Sequence, residues 1–254
     1  MKKNAFWSTL AVIGLLSGSA AAQPIIGQTP DLEQPSIDPD WLFSFTHRFS
    51  LSGGKVENSP TFSLSKGMDE GFEASLRYAT SSDIGGNFNE WEALVKRPLN
   101  SFLSGVGGYN TAAKSLDLVV IGSYRLGALT FLGNGKFFSS GFGLGGPTLA
   151  LGTGIVWRLN RFLGVSADLD RVLLARNLGA IADQGNGLFP SWSLGTQFAI
   201  PYSPHALSLT LTNANTRTLQ GTSRGGAGFR FGFEFSVPLG PLDRWKEIFN
   251  PPAE

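Results

Sequence analysis

Phe229-Arg-Phe-Gly-Phe-Glu-Phe-Ser-Val237 places an apolar residue at every second position and a polar or small one between. Trp41-Leu-Phe-Ser-Phe-Thr-His-Arg-Phe49 does the same at the other end of the chain. Side chains of a strand alternate faces with period two, so each stretch reads as a strand with one apolar and one polar face. The rhythm recurs from residue 41 to residue 239. It predicts strands over 41–50, 60–66, 71–80, 88–97, 101–109, 116–125, 128–138, 147–158, 161–171, 190–200, 205–213 and 226–238, an all-β chain of about twelve strands.

The connections between these segments alternate in length. Gly67-Met-Asp-Glu70, Pro98-Leu-Asn100, Leu126-Gly127, Asn160 and Pro201-Tyr-Ser-Pro204 are short, whereas 51–59, 81–87, 110–115, 139–146, 172–189 and 214–225 are longer. Bacterial outer-membrane barrels have an even strand number, short periplasmic turns and longer external loops. The fifth segment, Ser101 to Tyr109, alternates poorly and is admitted because it preserves this parity.

Residues 1–22 have the layout of a signal peptide. Met1-Lys2-Lys3-Asn4 is a short basic start, Ala5 to Gly18 an apolar run, and Ala20-Ala21-Ala22 a small-residue cleavage site. The apolar run is shorter than the ~20 residues a membrane anchor needs. Without cysteine, the chain has no disulfide, thiolate metal site, lipoprotein cysteine or cysteine nucleophile. Charged residues are 15% of the whole, against about 25% in soluble domains, while 20 Phe and 6 Trp are present. A formal charge of +1 gives no case for nucleic acid.

Alternation alone does not say which face points inward. Trp41, Phe45, Leu76, Trp91, Leu118, Trp157, Leu194 and Phe231 lie on one face; Gly, Ser, Thr, Ala and charges dominate the other. A soluble barrel would have to fit the large set into one lumen. A β-sandwich, with two inner faces, is the other soluble alternative. A barrel with the large set facing lipid accommodates the whole pattern, and the expected fold is a transmembrane antiparallel up-and-down β-barrel over residues 41–239.

On that reading the lumen carries Arg48, Arg77, Lys96, Arg125, Lys136, Arg158 and Arg230, with Glu73, Glu90, Glu92, Asp117, Asp168, Asp170 and Glu234. Seven charges of each sign can pair across strands and hold the barrel together, or form a mixed-charge constriction for small polar solutes. His47 lies between Phe45 and Phe49 on the lipid face. Outer-membrane lipid-modifying enzymes place a Ser–His pair there, and Ser50, Ser52 and Ser59 are near in sequence; an interfacial polar residue in an aromatic belt is the plainer reading. Neither His47 nor His205 has metal-ligand spacing.

Gly141-Phe-Gly-Leu-Gly-Gly146 leads into a strand rather than a helix, which removes the phosphate-binding reading of such a string. Residues 172–189 form the longest loop, a lid over the mouth or a surface loop. Residues 23–40 read as a periplasmic lead-in without packing signals and 240–254 as a periplasmic tail. The last strand ends near Val237-Pro-Leu239, which places any aromatic insertion signal internally, at Phe231-Gly-Phe-Glu-Phe235.

Thr46-His47-Arg48-Phe49, Pro60-Thr-Phe-Ser-Leu-Ser-Lys-Gly67, Gly71-Phe-Glu-Ala-Ser-Leu-Arg-Tyr78 and Leu94-Val-Lys-Arg-Pro-Leu99 resemble the early region of an uncharacterised family of bacterial outer-membrane β-barrels. The resemblance covers roughly residues 41–99 and implies a fold and a location, with no activity, cofactor or catalytic residue to carry over. The expectation is therefore a non-enzymatic barrel in a Gram-negative-type outer membrane, either a narrow passive channel for small polar solutes or a structural barrel. Outer-membrane lipids and the barrel-insertion machinery would be its partners. An outer-membrane lipid-modifying enzyme and a loop-mediated binding protein are the alternatives.

Overall fold

The computed structural model describes residues 28–34, 41–52, 55–68, 71–176, 189–201, 203 and 205–239. The expected signal peptide and C-terminal tail, and residues 177–188 of the expected loop 172–189, lie outside the described residues.

The strands are β1 (Trp41–Ser52), β2 (Lys55–Met68), β3 (Phe72–Thr80), β4 (Asn89–Pro98), β5 (Leu103–Asn110), β6 (Ser115–Leu126), β7 (Leu129–Phe138), β8 (Thr148–Arg158), β9 (Leu163–Ala175), β10 (Ser191–Ala199), β11 (Ala206–Ala214) and β12 (Gly225–Pro238). Each pairs antiparallel with its neighbours in the chain, and β12 returns to β1 from Leu42↔Pro238 to Phe49↔Phe231, closing a barrel. Closure leaves no strand edge unpaired. Among the described residues no helix is long and apolar enough to cross a membrane.

Two expectations change in detail. The external connection expected over 51–59 is mostly strand: β1 and β2 run on as a ribbon until Ser52 pairs with Lys55. The weak fifth segment is a true strand, bonded to β4 and β6 along its length. Its poor alternation has a local cause. A side chain at Gly108 would come within 2.3 Å of Leu94 Cδ2, because Leu94 of β4 lies across that position.

The face assignment follows the alternation. In β4, Trp91, Ala93 and Val95 are exposed, while Glu90, Glu92, Leu94 and Lys96 are buried. Leu116, Val120 and Phe231 project outward with 64%, 54% and 53% of their surface exposed. So much apolar surface all round a closed barrel is what a hydrocarbon environment requires and what water disfavours. Aromatic pairs such as Tyr78 and Trp91, ring centres 4.4 Å apart, sit near the ends of the strands, where interfacial belts form.

The interior is less uniformly polar than the sequence suggested. Leu94, Val106, Val119, Ile121, Phe138 and Ala150 face inward and are buried together with Leu219. Leu132 and Val156 are buried with Leu32. Leu219 and Leu32 belong to no strand: both lie on segments that enter the barrel.

Candidate functional site in the barrel lumen

Residues 28–34 and 215–224 occupy the lumen. The first precedes β1 and was expected to lack packing; Thr29, Asp31 and Leu32 are nevertheless buried to 3% exposure or less. The second connects β11 to β12 and was expected to be an external loop, yet Thr216, Thr218, Leu219, Gln220, Thr222 and Ser223 are at most 2% exposed.

Wall charges hold both segments. Arg48 of β1 donates from Nη2 to Asp31 Oδ1 and from Nη1 to the carbonyls of Ala214 at 3.3 Å and Thr216 at 3.0 Å. Arg77 of β3 pairs from Nη2 with Glu33 at 2.7 Å and from Nη1 with Glu92 at 3.3 Å. Glu92 in turn accepts the Leu219 N–H at 2.9 Å. Each arginine thus uses two nitrogens to tie the N-terminal segment to the loop, directly at Arg48 and through Glu92 at Arg77. A guanidinium, with donors fixed in a planar fork, suits such bridging better than an ammonium.

The loop has further anchors. Gln220 Nε2 donates to Asp117 Oδ1 at 3.1 Å, and Gln220 Oε1 accepts the Phe142 N–H at 2.6 Å. Lys136 donates to Ser223 Oγ at 2.9 Å and pairs with Asp170 at 2.6 Å. Glu90 accepts from Ser82 at 2.7 Å, Asn110 at 2.5 Å and Thr216 at 3.4 Å. Arg217 pairs with Glu234, which also accepts from Thr46 at 2.8 Å. Burial, and then the nearby Arg77, lower the Arg217 pKa to about 10, which leaves it charged at neutral pH.

The segment has a shaped seat. On the inner wall, side chains at Gly152, Gly154 and Gly195 would collide with Leu32 at 2.5 Å, Thr29 at 2.9 Å and Pro30 at 2.6 Å. Gln197 Nε2 donates to the Gln28 carbonyl at 2.6 Å and its Oε1 accepts the Gln28 N–H at 3.1 Å. Asp168 Oδ2 accepts the Asp31 N–H at 3.1 Å, and the Thr212 hydroxyl donates to Asp31 Oδ2 at 2.9 Å. Burial alone would raise the Glu33 pKa, but Arg77, Lys96 and Arg217 pull it down to about 2.

The fourteen charges singled out from sequence separate into groups. Arg48, Glu73, Glu90, Glu92, Lys96, Asp117, Lys136, Asp168, Asp170 and Glu234 are buried in the interior, and Arg77 is nearly so. Arg158 and Arg230 are half-buried toward opposite ends of the wall, Arg230 donating to Ser50 Oγ at 2.5 Å; Arg125 is exposed. Pairing is not simply from strand to strand. Lys96–Glu73, Arg77–Glu92 and Lys136–Asp170 join wall residues, whereas Arg48, Arg77 and Glu234 also pair with Asp31, Glu33 and Arg217 on the inserted segments. Those three partners were missed because the wall charges already balanced in number. Their signal was the charged and Thr-rich character of segments that otherwise read as ordinary connections.

Below the segments, toward the rim where β1 begins, lies a cleft with about 70 Å³ of water-accessible space. Ser44, Thr46, Ser63 and Ser75 line it together with Arg77 and Lys96. On the outer face, the His47 ring sits 4.2 Å from that of Phe49 and 5.6 Å from that of Phe45. Ser50 and Ser59 instead engage Arg230 and Asn215, on the inner side of the wall. The two hydroxyls are thus turned away from the imidazole.

No family model and no curated protein matches the chain. Solved structures do resemble it. The KdgM porin in complex with disordered oligogalacturonate aligns with a TM-score of 0.55 at 9% identity, covering 78% of this chain and 99% of the porin. The NanC porin aligns at 0.51 and 10% identity, covering 79% and 100%. An outer membrane channel from Pseudomonas putida F1 aligns at 0.50 and 10% identity, covering 83% and 99%. At such identities the likeness is one of fold, a porin-like barrel.

Proposed function

We propose that this chain is a non-enzymatic outer-membrane barrel that works as a narrow passive channel for small polar solutes. The observation that carries the reading is the contrast across the wall: apolar surface outside, and inside a hydroxyl-lined cleft with charges of both signs. A lumen of this kind replaces part of a polar solute's hydration without binding it tightly, as conduction requires. The porin-like neighbours favour the same class, and the oligogalacturonate in one of them is a polar solute. Balanced charge argues against strong selectivity for one sign of ion.

This reading takes residues 1–22 as a cleaved signal peptide and residues 240–254 as a periplasmic tail, with residues 28–34 inside the lumen rather than in a periplasmic lead-in. Outer-membrane lipids and the insertion machinery are the partners it requires. The resemblance over residues 41–99 to an uncharacterised barrel family is part of the same proposal, as is the role of the wall charges in lining the pathway.

Single-channel conductance of the refolded mature chain in a planar bilayer tests it. Discrete openings with a solute size cut-off are expected. A second reading, a structural envelope barrel, draws on the two segments that meet across the lumen. Stable insertion without current under any applied voltage would favour that reading and overturn the channel.

A further inference from the structure

Three features of residues 28–34 set them apart from ordinary filling. Their seat is cut to their shape, since side chains at Gly152, Gly154 or Gly195 would strike Leu32, Thr29 or Pro30. Their polar groups are matched one by one, Gln28 by Gln197 and Asp31 by Asp168, Thr212 and Arg48. Third, they bond to wall side chains and share no backbone ladder with any strand among the described residues. The segment could therefore leave without breaking a single strand pair.

The wall beneath it carries the mark of a second state. Ser166 of the inner wall, beside the Gly195 position that Pro30 covers, is buried with no hydrogen-bond partner for its hydroxyl. A buried unpaired hydroxyl costs free energy that contact with water removes. A surface meant to stay covered would carry an apolar residue at this position. One that is alternately covered and wet keeps its hydroxyl.

We infer that the interior trough of β8, β9 and β10 is a docking site for the chain's own residues 28–34, and that this occupant closes the pore. The inference rests on the channel reading. Arg48 and Arg77 hold the docked segment against loop 215–224, so the closed state is an interlock of two pieces. The loop is the fixed piece, because its chain is pinned at both ends by β11 and β12. The segment is the moving piece, followed in sequence by β1 and sharing no backbone ladder with the wall among the described residues. Opening swaps the contacts of Asp31 and Glu33 for water and uncovers the Ser166 hydroxyl.

The chain has no native cysteine, so a single engineered disulfide can report on this. Gly195 faces Pro30 closely enough that cysteines at the two positions would lie about 4 Å apart at Cβ, within bridging distance. Conductance would be recorded for the intact mature protein, for a variant lacking residues 28–34, and for Pro30→Cys/Gly195→Cys oxidised and then reduced. The intact protein should open rarely, the deletion should raise mean current by about ten-fold or more, and oxidation should silence the double variant until reductant restores it. Equal, non-zero currents from all forms would overturn the docked segment as the closing element and leave the channel standing. Absence of current from every form, with barrels shown to be inserted and folded, would overturn the channel reading and this inference with it. If the deletion fails to fold, the oxidised and reduced states of one folded sample decide alone.

Discussion

Residues 28–34 and residues 215–224 fill the same lumen by different means. The loop is a turn that bonds to itself, with Thr222 N–H on the Thr218 carbonyl and Ser223 N–H on the Gln220 carbonyl, and it meets Glu92, Asp117 and Lys136 of the wall. The N-terminal segment bends at residues 30–32, where the Gln34 amide donates to Thr29 Oγ1 and to the Leu32 carbonyl, and it is held in place by wall side chains and a glycine trough. One is built into the barrel and the other is laid against it. Removing contacts of the first should therefore weaken the whole fold, while removing contacts of the second should release only that segment.

The largest expected effect is on the loop side. Lys136→Met would leave the carboxylate of Asp170 buried without its cation and should lower barrel stability by about 3–5 kcal/mol, read by denaturant unfolding in micelles. A loss below about 1 kcal/mol would mean that this side of the lumen is wetter than the contacts imply. Next comes the outer wall that both segments depend on. Phe231→Arg should cost about 2–4 kcal/mol if the residue lies near the bilayer midplane, and wild-type stability in lipid vesicles would break the assignment of faces.

The comparison is sharpest between two leucines of equal burial, each 1% exposed. Leu219→Ala should cost about 2–3 kcal/mol of global stability. Leu32→Ala should leave the global transition nearly unchanged, yet abolish hydrogen-exchange protection at the Asp31 amide. Equal global losses would make the segment part of the core and erase the distinction.

The smallest effect is a pH dependence. The folded Glu33 carboxyl is held near pKa 2 by Arg77, Lys96 and Arg217, against a usual value of 4.5. A depressed carboxylate contributes fully above its unfolded pKa and loses that contribution as pH falls through the folded one. Exchange protection of residues 28–34 should therefore be flat from pH 8 to about pH 5 and decline between about 4.5 and 2. Glu33→Gln should remove this decline, and a decline that survives the substitution would mean that Glu33 is not its source.

The strands were legible because a membrane barrel writes its two faces into every second residue. Even the pairing of Phe231 with Phe49 across the seam follows from two alternating stretches at opposite ends of the chain. Val119-Val120-Ile121 and Leu94-Val95 hid their inward members, since a continuous apolar run conceals which residue turns in. The inserted segments were not legible. Nothing in Gln28-Thr-Pro-Asp-Leu-Glu-Gln34 has a period, and its fit depends on glycines more than a hundred residues away. Charge counting failed for a related reason: the seven acids and seven bases of the wall balance, but Arg48 finds its carboxylate on Asp31 and Glu234 its cation on Arg217.

The N-terminal segment also dates events during biogenesis. Its partners Asp168, Gln197 and Thr212 lie 137 to 181 residues downstream, so its resting place does not exist until β9, β10 and β11 have been made and aligned. The loop lies between the last two strands and is enclosed only when β12 meets β1. A chain assembled in this order leaves residues 28–34 unseated until the final seam is sewn. Docking of residues 28–34 thus marks a finished barrel.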